Sequence, residues 1–370
     1  MLLKIDKREF LNALKFVSKN INKQNSIAIL DCVLLSVYPD NINVLSNNGE
    51  TQINIDVPTI ESEGEGSIAF KPSELIKVLG SVYDENIEIE VEAENNTLTV
   101  IYEGGRYSCQ CLDAADYPKP DFVSGDTEYF TVPFTEFMDM VKYASVFCSA
   151  DDIRPVIKCI YATIENEELT LASTDMHVCF YTTRKIGYGG TMDFLISPAT
   201  IAMLNSLTSG YEVQIGVGER HIYFGIDKVS ILSQKVQGKF PNFKAVFPKE
   251  SKSEVIMNTK KLESAIKRAM TASYTTSLCV MKIDSYATNA IITAEDNDRM
   301  SKGVEQVEKQ GSGNDITIGF SGVTMLKCLS VLTSPSVLMK MSDNNRPIEI
   351  VDSTDTSKHI VMMPMIIQQN

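Results

Sequence analysis

Three histidines, eight cysteines and 48 acidic residues are the groups in this 370-residue chain that could hold a metal or move a proton. They do not assemble into a recognisable site. His177, His221 and His359 are too far apart for a His-x-His or H-E-x-x-H metal pattern. His221 and His359 fall in alternating apolar stretches and read as ordinary sheet residues. Cys32, Cys148, Cys159, Cys179, Cys279 and Cys328 are scattered singly, as small buried apolar residues of a cytosolic protein would be. Cys109-x-Cys111 is the one spacing that suggests a metal, but alternate residues share one strand face and no second His or Cys pair follows. Asp151-Asp152 and Asp113 with Asp116 sit in loop-like stretches, where carboxylates are usually solvated. Gly187-Tyr188-Gly189-Gly190 and Gly311-Ser312-Gly313 lack the helix start of a phosphate loop. No Ser or Cys occupies a nucleophile elbow. The expectation is a binding scaffold with no catalytic residue, metal or cofactor.

The elements that would carry such a scaffold repeat. Pro118, Pro241 and Pro364 are spaced 123 residues apart, and each is read as closing a strand. About 45 residues before each comes an apolar residue, a Lys or Ser, a Pro or Gly, and a helix: Phe70-Lys71-Pro72, Ile196-Ser197-Pro198 and Phe320-Ser321-Gly322. A second amphipathic helix opens each copy, around 9–15, 136–142 and 261–267. Alternating runs separated by turn signals such as Pro39-Asp40 and Asn47-Asn48-Gly49 fill the intervals, as in antiparallel sheets with one wet face. The reading is α+β: three tandem copies of one domain, 1–123, 127–248 and 253–370, each with two helices packed on antiparallel sheets. Linkers are expected near Ser124-Gly125-Asp126 and Lys249-Glu250-Ser251-Lys252-Ser253. Met1-Leu2-Leu3 runs into Lys4 and a charged helix rather than a leader. No apolar run approaches the roughly 18 residues of a membrane span, so the cytoplasm is expected.

Charge is segregated. The chain carries −14, yet the six helical stretches (6–23, 71–79, 134–145, 197–207, 259–270, 321–331) hold 13 Lys and Arg against 6 Asp and Glu. The helices are therefore +7 and everything else −21. Basic helices in an acidic shell would attract a polyanion only where the helices gather. Surface helices also carry Lys simply for solubility, so charge alone leaves both readings open.

Three tandem copies, Ser173-Thr174-Asp175-Met176-His177 after a strand, Gly238-Lys239-Phe240-Pro241-Asn242-Phe243, and a terminal Met363-Pro364-Met365 together resemble the bacterial DNA polymerase III β subunit family, the sliding clamps. The resemblance covers the whole chain. It implies a head-to-tail homodimeric ring of six similar domains, with helices inward around double-stranded DNA. Such a ring is a processivity factor with no chemistry of its own. It also implies partners, namely the replicative polymerase, clamp loader and repair proteins, bound through short linear motifs, and no membrane. A different class, an acidic peptide-binding scaffold without DNA, is the alternative; an exonuclease would need a carboxylate cluster that does not recur.

The resemblance places a partner-peptide groove at Ile157, Thr174, Met176, His177, Val178, Cys179, Pro241, Ala245, Val246, Val361, Met363, Pro364, Met365 and Ile366. An apolar, Met-rich lining suits an adaptable peptide pocket. DNA-facing positions carried over are Lys23, Gln24, Ser73, Arg154, Pro155 and Val156. The ring interface is expected to join Arg106, Tyr107 and Ser108 to the region of Ala269, Met270 and Thr271. The family's usual T-D-G-H-R-L reads here Thr174-Asp175-Met176-His177-Val178-Cys179. Ala245 stands where an Arg is common, and Gln368-Gln369-Asn370 extends the usual terminus.

Overall fold

The computed structural model describes residues 1–21, 27–92, 95–118, 127–273, 277–296 and 298–367. Lys23, Gln24, the expected linker Ser124-Gly125-Asp126 and Gln368-Gln369-Asn370 lie outside them. Six helices of the described residues are α1 (Lys7–Ser18), α2 (Pro72–Ser81), α3 (Phe134–Ser145), α4 (Pro198–Leu204), α5 (Thr259–Met270) and α6 (Gly322–Ser330). Their starts explain the motifs read from sequence. Pro72 and Pro198 occupy the first helical turn, where a missing N–H costs nothing. Ser197 and Ser321 accept from the amides of Thr200 and Thr324 at 3.3 Å, while Asp6 and Asn258 cap α1 and α5 in the same way. Inward faces follow the helical period: Phe10, Leu11, Leu14 and Val17 on α1, and Leu262, Ala265, Ile266 and Ala269 on α5, are all buried.

The chain forms two compact units, 1–138 with 197–235, and 139–196 with 236–370. These units cut the middle copy of the repeat in two, because sheets run across the joints between copies. In the first unit, a nine-stranded sheet places Val229–Gln234, the last strand of copy 2, beside Thr51–Pro58 of copy 1. A twelve-stranded sheet in the second unit places Lys358–Met362, the last strand of copy 3, beside Val178–Lys185 of copy 2. All pairings are antiparallel, and the registers coincide. Ile231 lies opposite Ile53 as Ile360 lies opposite Phe180. The Gln234 amide donates to the Glu50 carbonyl and the Met363 amide to the His177 carbonyl, each at 2.8 Å.

This register corrects the proline spacing. Pro241 follows the strand ending at Gln234, and Pro118 the strand ending at Gln110, by seven and eight residues; Pro364 follows Met362 by two. Pro364 is thus the counterpart of Lys235. A further difference is at the start: Leu2–Asp6 is a strand, paired with Asn86–Glu92, rather than the lead-in to a helix. Its Leu3 and Ile5 are buried.

The second joint is tied by charge as well as by sheet. Lys358 and Asp352 have side chains 1% and 0% exposed, with Nζ 3.9 Å from Asp352 and 3.4 Å from Asp355. Nζ also lies 4.1 Å from the Tyr143 ring centre and donates to the Val331 carbonyl at 3.2 Å. Removing one partner of a buried charge group strands the other without water. Lys358→Ala is expected to destabilise the second unit by about 3–5 kcal/mol, read as an earlier transition in urea; a shift no larger than that of an exposed lysine would show the cluster to be dispensable.

Candidate functional site: an apolar corner beside a sheet joint

The second unit carries an apolar cavity of about 100 Å³ where the Thr174–Val178 turn meets the end of the last strand. That volume accepts a large aliphatic side chain, whereas a drug-sized or cofactor pocket typically needs roughly 300–1,000 Å³. Three segments build it. The first is the turn between Glu168–Thr174 and Val178–Lys185. Asp175 Oδ1 accepts from the amides of His177 (2.9 Å) and Val178 (2.8 Å), and Thr174 Oγ1 accepts from Met176 N (3.0 Å). The second is the chain end, where the pairings of Cys179 with Val361 and Val178 with Met362 carry Met363 to the rim.

The third segment contains Pro241, Asn242, Phe243 and Val246. It is held down by aromatic packing rather than by a strand. Phe240 stacks on Tyr161 at 5.1 Å, Phe243 packs on Tyr181 at 5.5 Å, and Phe247 meets Tyr181 edge-on at 4.9 Å. Tyr181 is sandwiched further by His359, 4.3 Å away and nearly parallel. Burial, followed by the nearby Lys340 charge, pushes the His359 pKa below its ordinary 6.5, so the ring is neutral where it stacks.

Nine of the fourteen groove residues named from the resemblance line this cavity: Thr174, Met176, His177, Val178, Cys179, Pro241, Val246, Val361 and Met363. Ile157 is buried, Ala245 exposed, Pro364 and Met365 half-buried, and Ile366 87% exposed, all outside the lining. Asn242 and Phe243 do line it and were missed; the Phe-Pro-x-Phe spacing of 240–243 was the available signal. Of the DNA-facing positions, Ser73 is exposed in the first turn of α2. Arg154 and Pro155 are exposed at the start of a 3₁₀ turn, and Val156 is half-buried against the apolar cluster that includes Phe240. Arg106, Tyr107 and Ser108 lie on Gly105–Gln110, an outer strand of a five-stranded sheet. At the end of α5, Ala269 is fully buried, Met270 half-buried and Thr271 exposed.

The same backbone corner occurs in the first unit with opposite character. Asn48 Oδ1 accepts from Glu50 N (3.0 Å) and Thr51 N (2.7 Å), so Asn48 plays the part of Asp175 and Gly49 that of Met176. There the counterpart of Met363 is Gln234, whose Nε2 donates to the Gly49 carbonyl at 2.9 Å. The counterpart of Thr174 is Asn47, which donates to the Pro118 carbonyl at 3.0 Å. One corner is latched by polar side chains. The other is apolar and open.

Three models of one family match successive parts of the chain: the N-terminal domain of the DNA polymerase III beta subunit over residues 1–121, its central domain over 131–242 and its C-terminal domain over 244–366. The chain belongs to the DNA polymerase III beta subunit family. A beta sliding clamp of Bacillus subtilis is 23% identical over 381 residues, covering 99% of both chains. The Escherichia coli K12 beta sliding clamp is 23% identical over 368 residues, covering 99% of this chain and 100% of its own. Among solved structures, a Pseudomonas aeruginosa DnaN sliding clamp bound to griselimycin superposes with TM-score 0.93 at 20% identity, over 99% of this chain and 100% of that one. A Bacillus subtilis DNA polymerase sliding clamp gives 0.92 at 20% identity over both whole chains. At these identities the structural likeness speaks for the fold. The groove's side chains need their own argument.

Met176 holds a left-handed backbone conformation. Its φ is +75°, beside +91° at the equivalent Gly49, a region that L side chains occupy at a cost of roughly 1–2 kcal/mol. Met176→Gly is expected to stabilise the second unit by about 1 kcal/mol while weakening the binding of an apolar peptide, measured by denaturation and by titration calorimetry; lower stability would show that Met176 does not strain the turn, and unchanged binding that it does not serve the groove. His359 predicts a pH dependence. Its folded pKa lies below the unfolded 6.5, so the unfolded chain protonates first. The stability it supports is complete above about 6.5 and is lost as pH falls through the folded value. His359→Phe should flatten that slope between pH 7 and 5, monitored by urea midpoints.

Proposed function

We propose that the chain is a bacterial sliding clamp: a homodimeric ring that encircles duplex DNA, confers processivity on the replicative polymerase, and recruits partners through the apolar corner at 174–179. It works in the cytoplasm and catalyses nothing itself. The observation that carries the ring is a pair of unmatched sheet edges. Gly105–Gln110, the last long strand of copy 1, pairs only with Thr97–Tyr102 among the described residues. In copy 3, residues 301–308 pair on one side with Asn289–Asp296, and only 309–313 pair with Ser253–Asn258. An edge left open is a template for another chain.

The two internal joints supply the register. Ser46–Ile53, Ser173–Phe180 and Ala294–Gly303 are the corresponding core pairs of the three copies. Tyr107 corresponds to Ile231 and Ile360 through their own hairpins. Since Ile231 faces Ile53 and Ile360 faces Phe180, Tyr107 of the partner subunit falls opposite Gly303. A ring over a bare glycine is a stabilising cross-strand pair. Gly303 has no room for a side chain of its own: a Cβ there would lie 2.9 Å from the Ala269 carbonyl oxygen. One step along, Cys109 of the partner subunit falls opposite Ser301.

Enclosure also accounts for the modest charge. Each phosphate contact adds about 0.9 to the salt slope of binding, and a sleeve that slides gains nothing from many. The corner at 174–179 suits a short apolar peptide, because its lining is Met-rich and its volume is that of one anchoring side chain. An acidic peptide-binding scaffold without DNA would leave both sheet edges unexplained.

Ser301→Cys tests the register, since Cys109 is already present. Mild oxidation should give a covalent dimer that Cys109→Ser abolishes, and the linked dimer loaded on nicked circular DNA should stay on it while escaping once the circle is cut. No cross-link with Cys109, or equal retention on cut and uncut DNA, sinks the ring.

A further inference from the structure

At both joints inside the chain, the hairpin that arrives meets a charge on the copy that receives it. Lys228, in the turn between His221–Ile226 and Val229–Gln234, reaches Glu9 in the first turn of α1 at 3.4 Å. Asp355, in the loop before Lys358–Met362, lies 3.9 Å from Arg184 of Val178–Lys185. The equivalent hairpin of copy 1 is Glu103-Gly104, between Thr97–Tyr102 and Gly105–Gln110. Among the described residues of its own unit it meets no such charge: Glu103 is exposed, and its amide donates to Asp84 Oδ2 at 3.3 Å, which sets a second carboxylate beside it.

The receiving position in copy 3 has the opposite sign. Asp6 caps α1 through the amide of Glu9, and Asn258 caps α5 through the amide of Lys261, so Lys261 stands where Glu9 stands in copy 1. Around it is an open concavity of about 530 Å³, whose lining includes Lys260, Lys261, Arg268, Gln306 and Glu308. Three cations there meet two carboxylates: Arg268 is paired with Glu305 at 2.5 Å, and Lys261 lies 3.7 Å from Glu308 with both side chains about two-thirds exposed, which leaves the balance positive at the two lysines. Asp56 donates its amide to the Lys228 carbonyl at 3.0 Å, and the counterpart of Asp56 is Gln306. The register derived above therefore delivers the partner's Gly104 to Gln306, at the wall of this concavity.

We infer that the concavity beside α5 is the seat of the partner's Glu103 hairpin, with Lys261 and Lys260 as its counter-charges. This rests on the edge pairing proposed above and adds to it a latch. An ion pair at an exposed rim contributes little net affinity. It governs instead which edge docks, how fast, and how steeply association falls with salt. The polarity is the reverse of the internal Lys228–Glu9 pair, which disfavours copy 1 of one chain docking on copy 1 of another, where Glu103 would meet Glu9.

The test is a charge exchange in the full-length chain. Glu103→Lys and Lys261→Glu, each alone, are expected to raise the dimer dissociation constant roughly tenfold at low salt, by sedimentation equilibrium. The two together should return it to within about threefold of the parent. Losses that simply multiply in the double variant, or single variants that dimerise like the parent, overturn the latch. Ser301→Cys introduced into each variant separates the two levels. If the link to Cys109 still forms while the charge exchange has no effect, the edges pair and the latch is wrong. If no link forms in any background, the edge pairing fails and the latch falls with it.

Discussion

An antiparallel strand has hydrogen-bonding groups on both sides, and most of this chain's organisation follows from where those sides are satisfied. Copies 1 and 2 each receive on the fourth-strand edge, Thr51–Pro58 or Val178–Lys185, the final strand of the copy that follows. A chain of three such copies matches two edges and leaves one donor strand and one receiving strand over. Both leftovers are of the same kind as the matched ones, so in the proposed ring a second chain would close the series without any new type of contact. Stopping at one chain would expose two flat strand edges, which proteins otherwise blunt or cover.

Repetition also shows what function has altered. The turn capped by Asn48 and the turn capped by Asp175 share their hydrogen bonds to within a few tenths of an ångström. Upon that common frame, Asn47 and Gln234 close one corner with amide hydrogen bonds, while Thr174, Cys179 and Met363 leave the other apolar. Side chains that satisfy one another have no call on a ligand. Apolar side chains around an unfilled cavity gain by acquiring a partner. The positive φ at Met176 fits that division: strain is tolerated where a side chain is wanted on the rim, and Gly49 avoids it where none is.

Much of this was legible in the residues, and what was not has a physical reason. Helix starts could be read because caps and early prolines are local chemistry, as at Ser197-Pro198 and Ser321. The repeat could be read from those same starts. Pro364 misled because identical spacing of one residue type carries no register; only the strand pairing shows that it matches Lys235 rather than Pro241. Leu2–Asp6 was hidden because five residues hold too few alternations, and its partners, Glu61–Glu63 and Asn86–Glu92, lie far along the chain. The long strand Ser301–Gly313 was hidden for a different reason, since it changes partners midway and one face of it is polar. Asn242 and Phe243 were passed over because their place depends on aromatic stacking with Tyr161 and Tyr181, which no local pattern encodes.

The two joints inside the chain differ from the one proposed between chains. The joint at Lys358 buries a full charge under Tyr143 and against Asp352, an arrangement that cannot be parted without stranding ions in a dry interior. That at Val229–Gln234 packs Ile231 and Ile53, both wholly buried, across the seam. At the third, the receiving strand offers Gly303 where the others offer Phe180 and Ile53, and its flanking charges on Lys261 and Arg268 are more than half exposed. Backbone hydrogen bonds, one aromatic ring and wet ion pairs all exchange readily for water. In the proposed ring, a seam made of them would part more easily than either joint inside the chain.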